Sequence, residues 1–224
     1  MLTLKTIAKI KSDFSTKFGV PRQSGLCGST VSDVVFEKEY SSLDSVRGLD
    51  GFSHIWLIWG FSLFEKHCDF SPTVRPPKLG GNKRVGVFAT RSPNRPNPIA
   101  LSCVRLLGVS LDGGRVVLKV AGADLVDGTP IYDVKPYVPV SDRIESPVGG
   151  FTEETQKVRL YVDFPKVLLE KIPAEKRDGL IESLSLDPRP GYQDDKDRVY
   201  GFVFDGKDIR FKVDGNTLTV TEIK

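Results

Sequence analysis

Turn signals recur through the first 150 residues of this 224-residue chain, and they constrain its fold more than any other feature. Short apolar or β-branched runs lie between them, at residues 34–36, 55–61, 85–88, 103–109, 116–120 and 131–134. Asp112-Gly113-Gly114 separates two alternating apolar runs, which predicts a tight hairpin. Many short strands with few helical patterns between them predict a β-barrel or a sandwich.

The pattern changes near residue 150. Residues 139–150 are polar, with Pro and Gly at both ends, which predicts a linker. Beyond it we predict a strand at 158–162, a helical stretch over 165–186 that breaks near Pro173, and a three-stranded meander with turns at Asp205-Gly206 and Asp214-Gly215. We therefore predict a β domain over residues 1–145 and a small α+β domain over residues 146–224.

The composition is ordinary for a globular protein, with 39% hydrophobic and 27% charged residues. No apolar run reaches the roughly 18 residues that a membrane span needs, and the N-terminus does not have the pattern of a signal peptide. The three cysteines form no CxxC pair, and no Cys or His has metal-ligand spacing. We expect no metal, no membrane association and a reducing, cytoplasmic location.

Positive charge is concentrated in one part of the chain. Residues 1–150 carry a net charge of +5 and residues 151–224 a net charge of −2. Residues 70–111 contain no acidic residue and seven basic ones, namely Arg75, Lys78, Lys83, Arg84, Arg91, Arg95 and Arg105. Six prolines within residues 72–101 predict a rigid loop that presents arginines to an anion, with a solvated basic loop as the alternative. A polyanion such as RNA is the partner that this distribution favours.

A second segment, residues 121–142, is rich in carboxylates. Asp133, Lys135 and Tyr137 alternate onto one face of an extended chain, and Asp124 and Asp127 precede them. Such carboxylates can accept hydrogen bonds from amines or ribose hydroxyls, but Asp-Gly-Thr-Pro is equally a good turn. His54, beside a Trp, is interpreted as a core residue. The chain has no G-x-G-x-x-G after a strand and no P-loop, which argues against a Rossmann dinucleotide site or an NTPase.

These segments carry the motifs of a known family. They are VPRQSGL (20–26), VRGLDGFSHIW (46–56), TVRPPKLGGNKRVGVFATRSPNRPNPI (73–99), DLVDGTPIYDVKPY (124–137) and LDPRPGY (186–192). Across nearly its whole length the chain resembles the TsaA/YaeB-like tRNA threonylcarbamoyladenosine N6-methyltransferases (TrmO). The resemblance implies a mainly β fold, namely a single-sheeted antiparallel β-barrel with a small C-terminal α+β domain. It further implies that the barrel forms a homodimer and that the C-terminal domain helps recognise tRNA. It also implies S-adenosylmethionine as cofactor, bound by loops near the subunit interface.

The implied substrate is threonylcarbamoyladenosine in the anticodon stem-loop of tRNA, just 3′ of the anticodon, and the product gains an N6-methyl group. By motif, the cofactor-binding residues are Pro21, Arg22, Gln23, Ser62, Leu63, Arg91, Leu101, Asp124, Leu125, Val126 and Asp127. Ser62 and Leu63 stand where many relatives have His-Gln, so backbone contacts could persist there but side-chain contacts could not.

The remaining site predictions concern catalysis and RNA. The adenine amine must lose a proton, and the candidate acceptors are Asp127, Asp133 and Tyr137. We call the acid-free residues 70–111 the basic segment. The expected RNA-binding residues are Arg75, Lys78, Lys83, Arg84 and Arg95 in the basic segment, and Arg189 and Tyr192 in the LDPRPGY motif. For that motif the alternative is that it packs the helix end against the meander.

Two other functions stay open on the sequence. A non-catalytic RNA-binding protein could use the same barrel and basic loop, and would not bind S-adenosylmethionine. A small-molecule methyltransferase would bind it, but would not need seven basic residues in a segment without acids.

Overall fold

The computed structural model describes residues 3–64, 70–76, 79, 83–153, 159–189 and 195–224. The strands are β1 Ala8–Lys11, β2 Val31–Phe36, β3 His54–Gly60, β4 Thr73–Val74, β5 Val85–Gly86, β6 Ile99–Asp112, β7 Arg115–Ala121, β8 Pro130–Pro136, β9 Tyr161–Asp163, β10 Tyr200–Phe204, β11 Lys207–Asp214 and β12 Thr217–Ile223. The α-helices are α1 Pro139–Asp142, α2 Lys166–Leu169 and α3 Ala174–Ser185. Short 3-10 segments cover Lys38–Tyr40, Leu43–Val46, Leu49–Gly51, Val87–Ala89 and Gly150–Thr152.

Six antiparallel strands close into a barrel in the order β1-β2-β7-β6-β3-β8, which confirms the predicted barrel. The inward side chains alternate with outward ones, as in β3, where Ile55 and Leu57 are fully buried. The predicted hairpin joins β6 to β7, and Gly113 and Gly114 adopt the positive φ angles of 55° and 75° that its tight turn requires. The barrel therefore follows from period-2 patterning combined with turn chemistry.

Three long connections meet at one end of the barrel, which we call the mouth. Because neighbouring strands alternate in direction, β1, β3 and β7 run toward the mouth and β2, β6 and β8 return from it. The connections 12–30, 61–98 and 122–129 consequently begin and finish at this same end of the barrel. β7 and β8 are opposite each other in the strand order, so segment 122–129 crosses the mouth, and Leu125, 1% exposed, packs into the barrel core beneath it.

A second core forms from the sheet β10-β11-β12-β9 and helix α3. The predicted meander is confirmed, and β9 joins it parallel to β12. The predicted helical break is also confirmed, because Pro173 stands between α2 and α3 with an extended ψ of 136°. Within the described residues, no helix is long and apolar enough to cross a membrane.

Two predicted elements are altered in the structure. The strand expected at 85–88 pairs with β4 for only two residues and then turns into the 3-10 segment Val87–Ala89. The predicted linker contains α1, which Asp142 stabilises because its carboxylate accepts a hydrogen bond from the Val138 amide at 2.8 Å.

Segment 12–30 belongs to both cores. It leaves β1 and returns to β2 of the barrel, but Phe14, Phe18 and Val20 pack into the second core. Phe14 is 2% exposed, and its ring lies edge-on to Phe204 at 5.3 Å between centroids. The domain boundary at 145/146 stays a proposal, with the qualification that the smaller core includes residues from the start of the chain.

Candidate functional site

A chain of hydrogen bonds links the barrel interior to the mouth. Ser102 faces inward on β6, opposite Leu57, and is 1% exposed. Its hydroxyl accepts a hydrogen bond from the Trp59 indole N–H at 2.9 Å and donates to Asp124 Oδ1 at 2.5 Å. Asp124 lies in the crossing segment, shortly after β7 ends at Ala121, so strand alternation and this segment together bring the three side chains into contact.

The Asp124 carboxylate lies in an environment that opposes its charge. Burial raises the pKa of Asp124, while the hydrogen bond from Ser102, backbone hydrogen bonds that include the Ser24 amide, and the positive charge of Arg91 lower that pKa part of the way. A cationic or hydroxyl-bearing ligand beside this group would therefore stabilise its ionised form.

Segment 21–25 connects the mouth to Arg91. The Arg91 guanidinium donates to Gln23 Oε1, and Gln23 Nε2 donates to the Arg22 carbonyl at 2.6 Å. The Gly25 amide donates to the Gly122 carbonyl at 2.9 Å, which joins this segment to the loop that carries Asp124. The structure thus brings together three residues predicted to bind cofactor, which come from three different connections.

Arg22 contacts the C-terminal domain. Its guanidinium donates to the main-chain carbonyl of Arg189 at 2.8 Å. The Arg189 guanidinium is buried and forms a two-point ion pair with Asp187, at 2.9 and 3.2 Å, across a turn in which Asp187 has a φ of 54°. The geometry gives Arg189 a structural role at the domain junction, in line with the packing alternative for its motif, and its contact with RNA stays a prediction.

The other predicted cofactor residues lie around the mouth in different environments. Ser62 Oγ is 3.2 Å from the hydroxyl of buried Thr129, and the Val126 carbonyl accepts from that same hydroxyl at 2.6 Å. Pro21 is buried, whereas Leu63 and Leu101 are 44% and 50% exposed. Leu125, buried in the core, can offer only its backbone to a ligand.

Asp127 lies on the side of the mouth that faces the C-terminal domain. Its carboxylate accepts a hydrogen bond from the Ser12 amide at 2.9 Å, and its own amide donates to the Phe14 carbonyl at 2.8 Å. It lines a cleft of about 690 Å³ between the two domains, where Lys176 bridges Asp13 and Asp205 at 2.6 Å each. The structure does not bring Asp127 into the hydrogen-bond chain of Asp124, and its catalytic role stays a prediction.

Asp133 and Tyr137 lie on the outer wall of the barrel. The Asp133 carboxylate pairs with Lys135 at 2.9 Å and accepts from the Val134 amide at 2.9 Å. The Tyr137 ring lies 6.3 Å from His54 and 6.0 Å from Trp56, between centroids. Because β8 runs away from the mouth, Tyr137, which comes directly after this strand, lies at the opposite end of the barrel.

The predicted core position of His54 is wrong. The residue is only half-buried, and its Nδ1 lies 2.9 Å from the Ser53 hydroxyl. In the strand alternation it shares the outward face with Trp56, opposite the inward-facing Ile55 and Leu57.

The basic segment divides into exposed and structural residues. Arg75, Lys83 and Arg84 are exposed, and Arg84 also donates to the Thr73 hydroxyl at 3.0 Å. Arg95 is half-buried, and its guanidinium donates to the carbonyls of Ser92, Thr90 and Val87. Arg95 therefore braces the loop. Lys78 and Tyr192 lie outside the described residues, and the described residues contain no group of three or more His, Cys, Asp or Glu placed to hold a metal ion.

Sequence reasoning missed Ser102 and Trp59. The signal was present, because alternation along 99–112 places a serine at an inward, core-facing position. A buried hydroxyl needs a partner, and a carboxylate at the end of the next strand could supply one.

Comparison with known proteins gives matches over most of the chain. Residues 9–143 match the family described as the tRNA-methyltransferase O N-terminal domain, and residues 157–224 match the TrmO C-terminal domain. An Escherichia coli tRNA (adenine(37)-N6)-methyltransferase is 38% identical over 215 residues, covering 92% of this chain and 91% of the relative.

Two further similarities agree with this. A putative S-adenosylmethionine-dependent methyltransferase of Pseudomonas aeruginosa is 37% identical, over 85% of this chain and 83% of the relative. The crystal structure of TrmO from Pseudomonas aeruginosa superimposes with a TM-score of 0.79 at 26% identity, covering 100% of this chain and 99% of that one.

Proposed function

Because this chain belongs to the tRNA-methyltransferase O family, we propose that it transfers a methyl group from S-adenosylmethionine to N6 of adenine 37 of tRNA in the cytoplasm. The proposal includes that this adenine already carries the threonylcarbamoyl group, as the sequence motifs imply. The observation that carries it is the convergence of the motif residues Gln23, Arg91 and Asp124 at one barrel mouth, from three separate connections.

The residues at the mouth fit this cofactor. S-adenosylmethionine has a carboxylate, which suits the Arg91 guanidinium, and an ammonium group and ribose hydroxyls, which suit Asp124. Pro21, Arg22 and the backbone of segments 62–63 and 125–126 complete the proposed contacts, with Leu101 at the rim. When bound, S-adenosylmethionine supplies a methyl group on a sulfonium centre, so the task of the protein is mainly one of positioning.

The N6 nitrogen of the proposed substrate is a weak nucleophile because its lone pair is delocalised into the adenine ring and into the carbamoyl carbonyl. A side chain that accepts its N–H would localise that pair and take the proton afterwards. Asp127, Asp133 and Tyr137 stay the candidates for this role. Within one chain, Asp133 and Tyr137 lie on the outer wall, apart from the mouth that holds Asp124.

We therefore include a homodimer in the proposal. If the outer wall of one protomer packs against the mouth of the other, Asp133 and Tyr137 of the first come close to the cofactor site of the second. The exposed apolar residues Ile99, Leu101 and Leu107 on β6, 38–50% exposed, support an interface on this wall. The acid-free basic segment is proposed to bind the phosphates of the anticodon stem-loop, where an unpaired base is displaced at little cost.

Nucleoside mass spectrometry tests the proposed reaction. The purified protein is incubated with methyl-deuterated S-adenosylmethionine and one tRNA, prepared with and without threonylcarbamoyladenosine. We expect the labelled methyl group only on the threonylcarbamoyl nucleoside. Equal methylation of both tRNAs would refute the substrate, and absence of cofactor binding would favour a non-catalytic RNA-binding protein.

An asparagine variant tests the site. Asp124→Asn is expected to lose cofactor affinity by calorimetry while it keeps RNA affinity. Asp50→Asn is the matched control, because that exposed carboxylate lies at the opposite end of the barrel. Equal cofactor binding by both variants would remove Asp124 from the site.

A further inference from the structure

Two aromatic rings pair on the surface of the basic segment. Phe88 is 74% exposed and Phe70 is 49% exposed, and their rings stack with centroids 6.3 Å apart and planes 28° from parallel. Large apolar side chains that remain in water forgo the stabilisation that burial would give. A paired and exposed set of this kind marks a contact surface.

The backbone beneath these rings is fixed from several directions. Val87, next to Phe88, is 1% exposed and anchors the segment, and its amide donates to the Pro72 carbonyl at 2.9 Å. The Arg95 guanidinium holds the carbonyls on either side of Phe88, those of Val87 and Thr90. The Phe88 ring is therefore presented on a segment that is already ordered, which reduces the entropy lost when a ligand binds.

The charge around the rings selects the class of partner. Arg75, Lys83 and Arg84 are exposed on the same segment, and residues 70–111 contain no acid. Aromatic residues and arginine are also common in protein–protein interfaces, but a surface with cations and no acid over residues 70–111 has one sign of charge, which favours a polyanion. Exposed aromatic rings beside cations are typical of surfaces on which unpaired bases stack while phosphates bind alongside.

We propose that Phe70 and Phe88 form a stacking platform for an unpaired base of the RNA loop that contains the target adenine. The inference rests on the proposed function and adds to it a base contact that does not depend on charge. Displacing one base from a loop leaves its neighbours without stacking partners, and a preformed aromatic surface stabilises that arrangement.

Binding of a fluorescein-labelled anticodon stem-loop, measured by anisotropy, tests the platform. We expect Phe88→Ala to raise the Kd about 5- to 150-fold, the range that corresponds to the loss of one stacked base. Phe88→Tyr is expected to restore binding, since it keeps a ring. The dependence of Kd on salt is expected to stay unchanged because no phosphate contact is lost.

Two controls separate stacking from general damage. Phe52→Ala removes a 37% exposed ring at the opposite end of the barrel, and wild-type RNA affinity is expected. Calorimetry with S-adenosylmethionine is expected to give the same affinity for Phe88→Ala as for the wild type. A 2-aminopurine base in the RNA loop is expected to be quenched by the wild type and by Phe88→Tyr, but not by Phe88→Ala.

Wild-type RNA affinity in Phe88→Ala would overturn the platform. If the sedimentation of that variant also changed, the rings would be shown to contact a second protein chain instead of RNA. A wild-type protein that binds the RNA without methylating it would refute the enzymatic proposal instead, and weaker binding by Phe88→Ala would still support the platform.

Discussion

Replacing Ser102 by alanine should expose how much the mouth depends on its hydrogen-bond chain. The substitution removes the acceptor of the Trp59 indole N–H and the donor to Asp124. A buried donor left without a partner costs about 1–3 kcal/mol, and a hydrogen bond to a charged group contributes about 1.5–3 kcal/mol. Allowing for non-additivity, we expect the free energy of unfolding to fall by about 2–5 kcal/mol at pH 8.

The loss should depend on pH. Because burial raises the pKa of Asp124 above its unfolded value, its contribution to stability is complete below the unfolded pKa and is lost as pH rises through the folded pKa. Ser102→Ala removes a bond that lowers this pKa. The destabilisation should therefore decrease as the pH falls from 8 to 5, toward the part of about 1–3 kcal/mol that comes from Trp59 alone.

Urea unfolding followed by tryptophan fluorescence at both pH values measures these losses. Ser110→Ala, an exposed serine on the same strand, is the matched control and should change stability by less than about 0.5 kcal/mol. A double-mutant cycle with Asp124→Asn isolates the coupling between Ser102 and the carboxylate. An equal loss at both pH values, or a coupling energy near zero, would refute this account of the mouth.

Three further outcomes follow from the structure. Arg75→Ala and Lys83→Ala should each make the slope of log RNA affinity on log salt shallower by about 0.7–0.9, and an unchanged slope would remove them from the RNA surface. Phe14→Ala should destabilise the whole chain by about 3–5 kcal/mol in urea, and a loss confined to a separate early transition would show that the two cores unfold independently. Burial and the nearby Glu182 carboxylate raise the pKa of Cys27 to about 12. Iodoacetamide should therefore modify it about a thousandfold more slowly at pH 8 in the folded protein than in urea, as judged by peptide mass spectrometry, and similar rates would contradict its burial.

The barrel could be predicted because its information is local. Alternating apolar residues fix the strands, and Asp-Gly or Gly-Gly pairs fix the turns between them. The packing of Phe14 into the second core could not be predicted. Its partner Phe204 lies far along the chain, and no local sequence pattern indicates that the two rings are in contact. Contacts of this kind depend on packing between elements, which periodicity does not encode.

For the candidate site, the sequence predicts which residues gather at the mouth, but not the contacts that hold each side chain there. Asp124 and Arg91 come together as expected, because strand direction alone places their loops at one end. Arg95 and Arg189 are predicted to contact RNA, and that contact stays a prediction; what the sequence does not show is that their guanidinium groups also hold backbone carbonyls and a carboxylate of this chain. Sequence shows that an arginine is present, but whether it faces solvent or braces a loop depends on neighbours that only the fold supplies.

Because segment 12–30 belongs to two cores, it cannot be fully buried until most of the chain has been synthesised. Phe14 leaves the ribosome early, but its partner Phe204 follows about 190 residues later, which at typical elongation rates is about 10–40 s. During that interval β1 and β2 can pair while the apolar side chains between them stay uncovered. During synthesis the chain is therefore vulnerable to proteases and to chaperone binding at this segment. Its apolar side chains are covered only after the last hairpins have been synthesised.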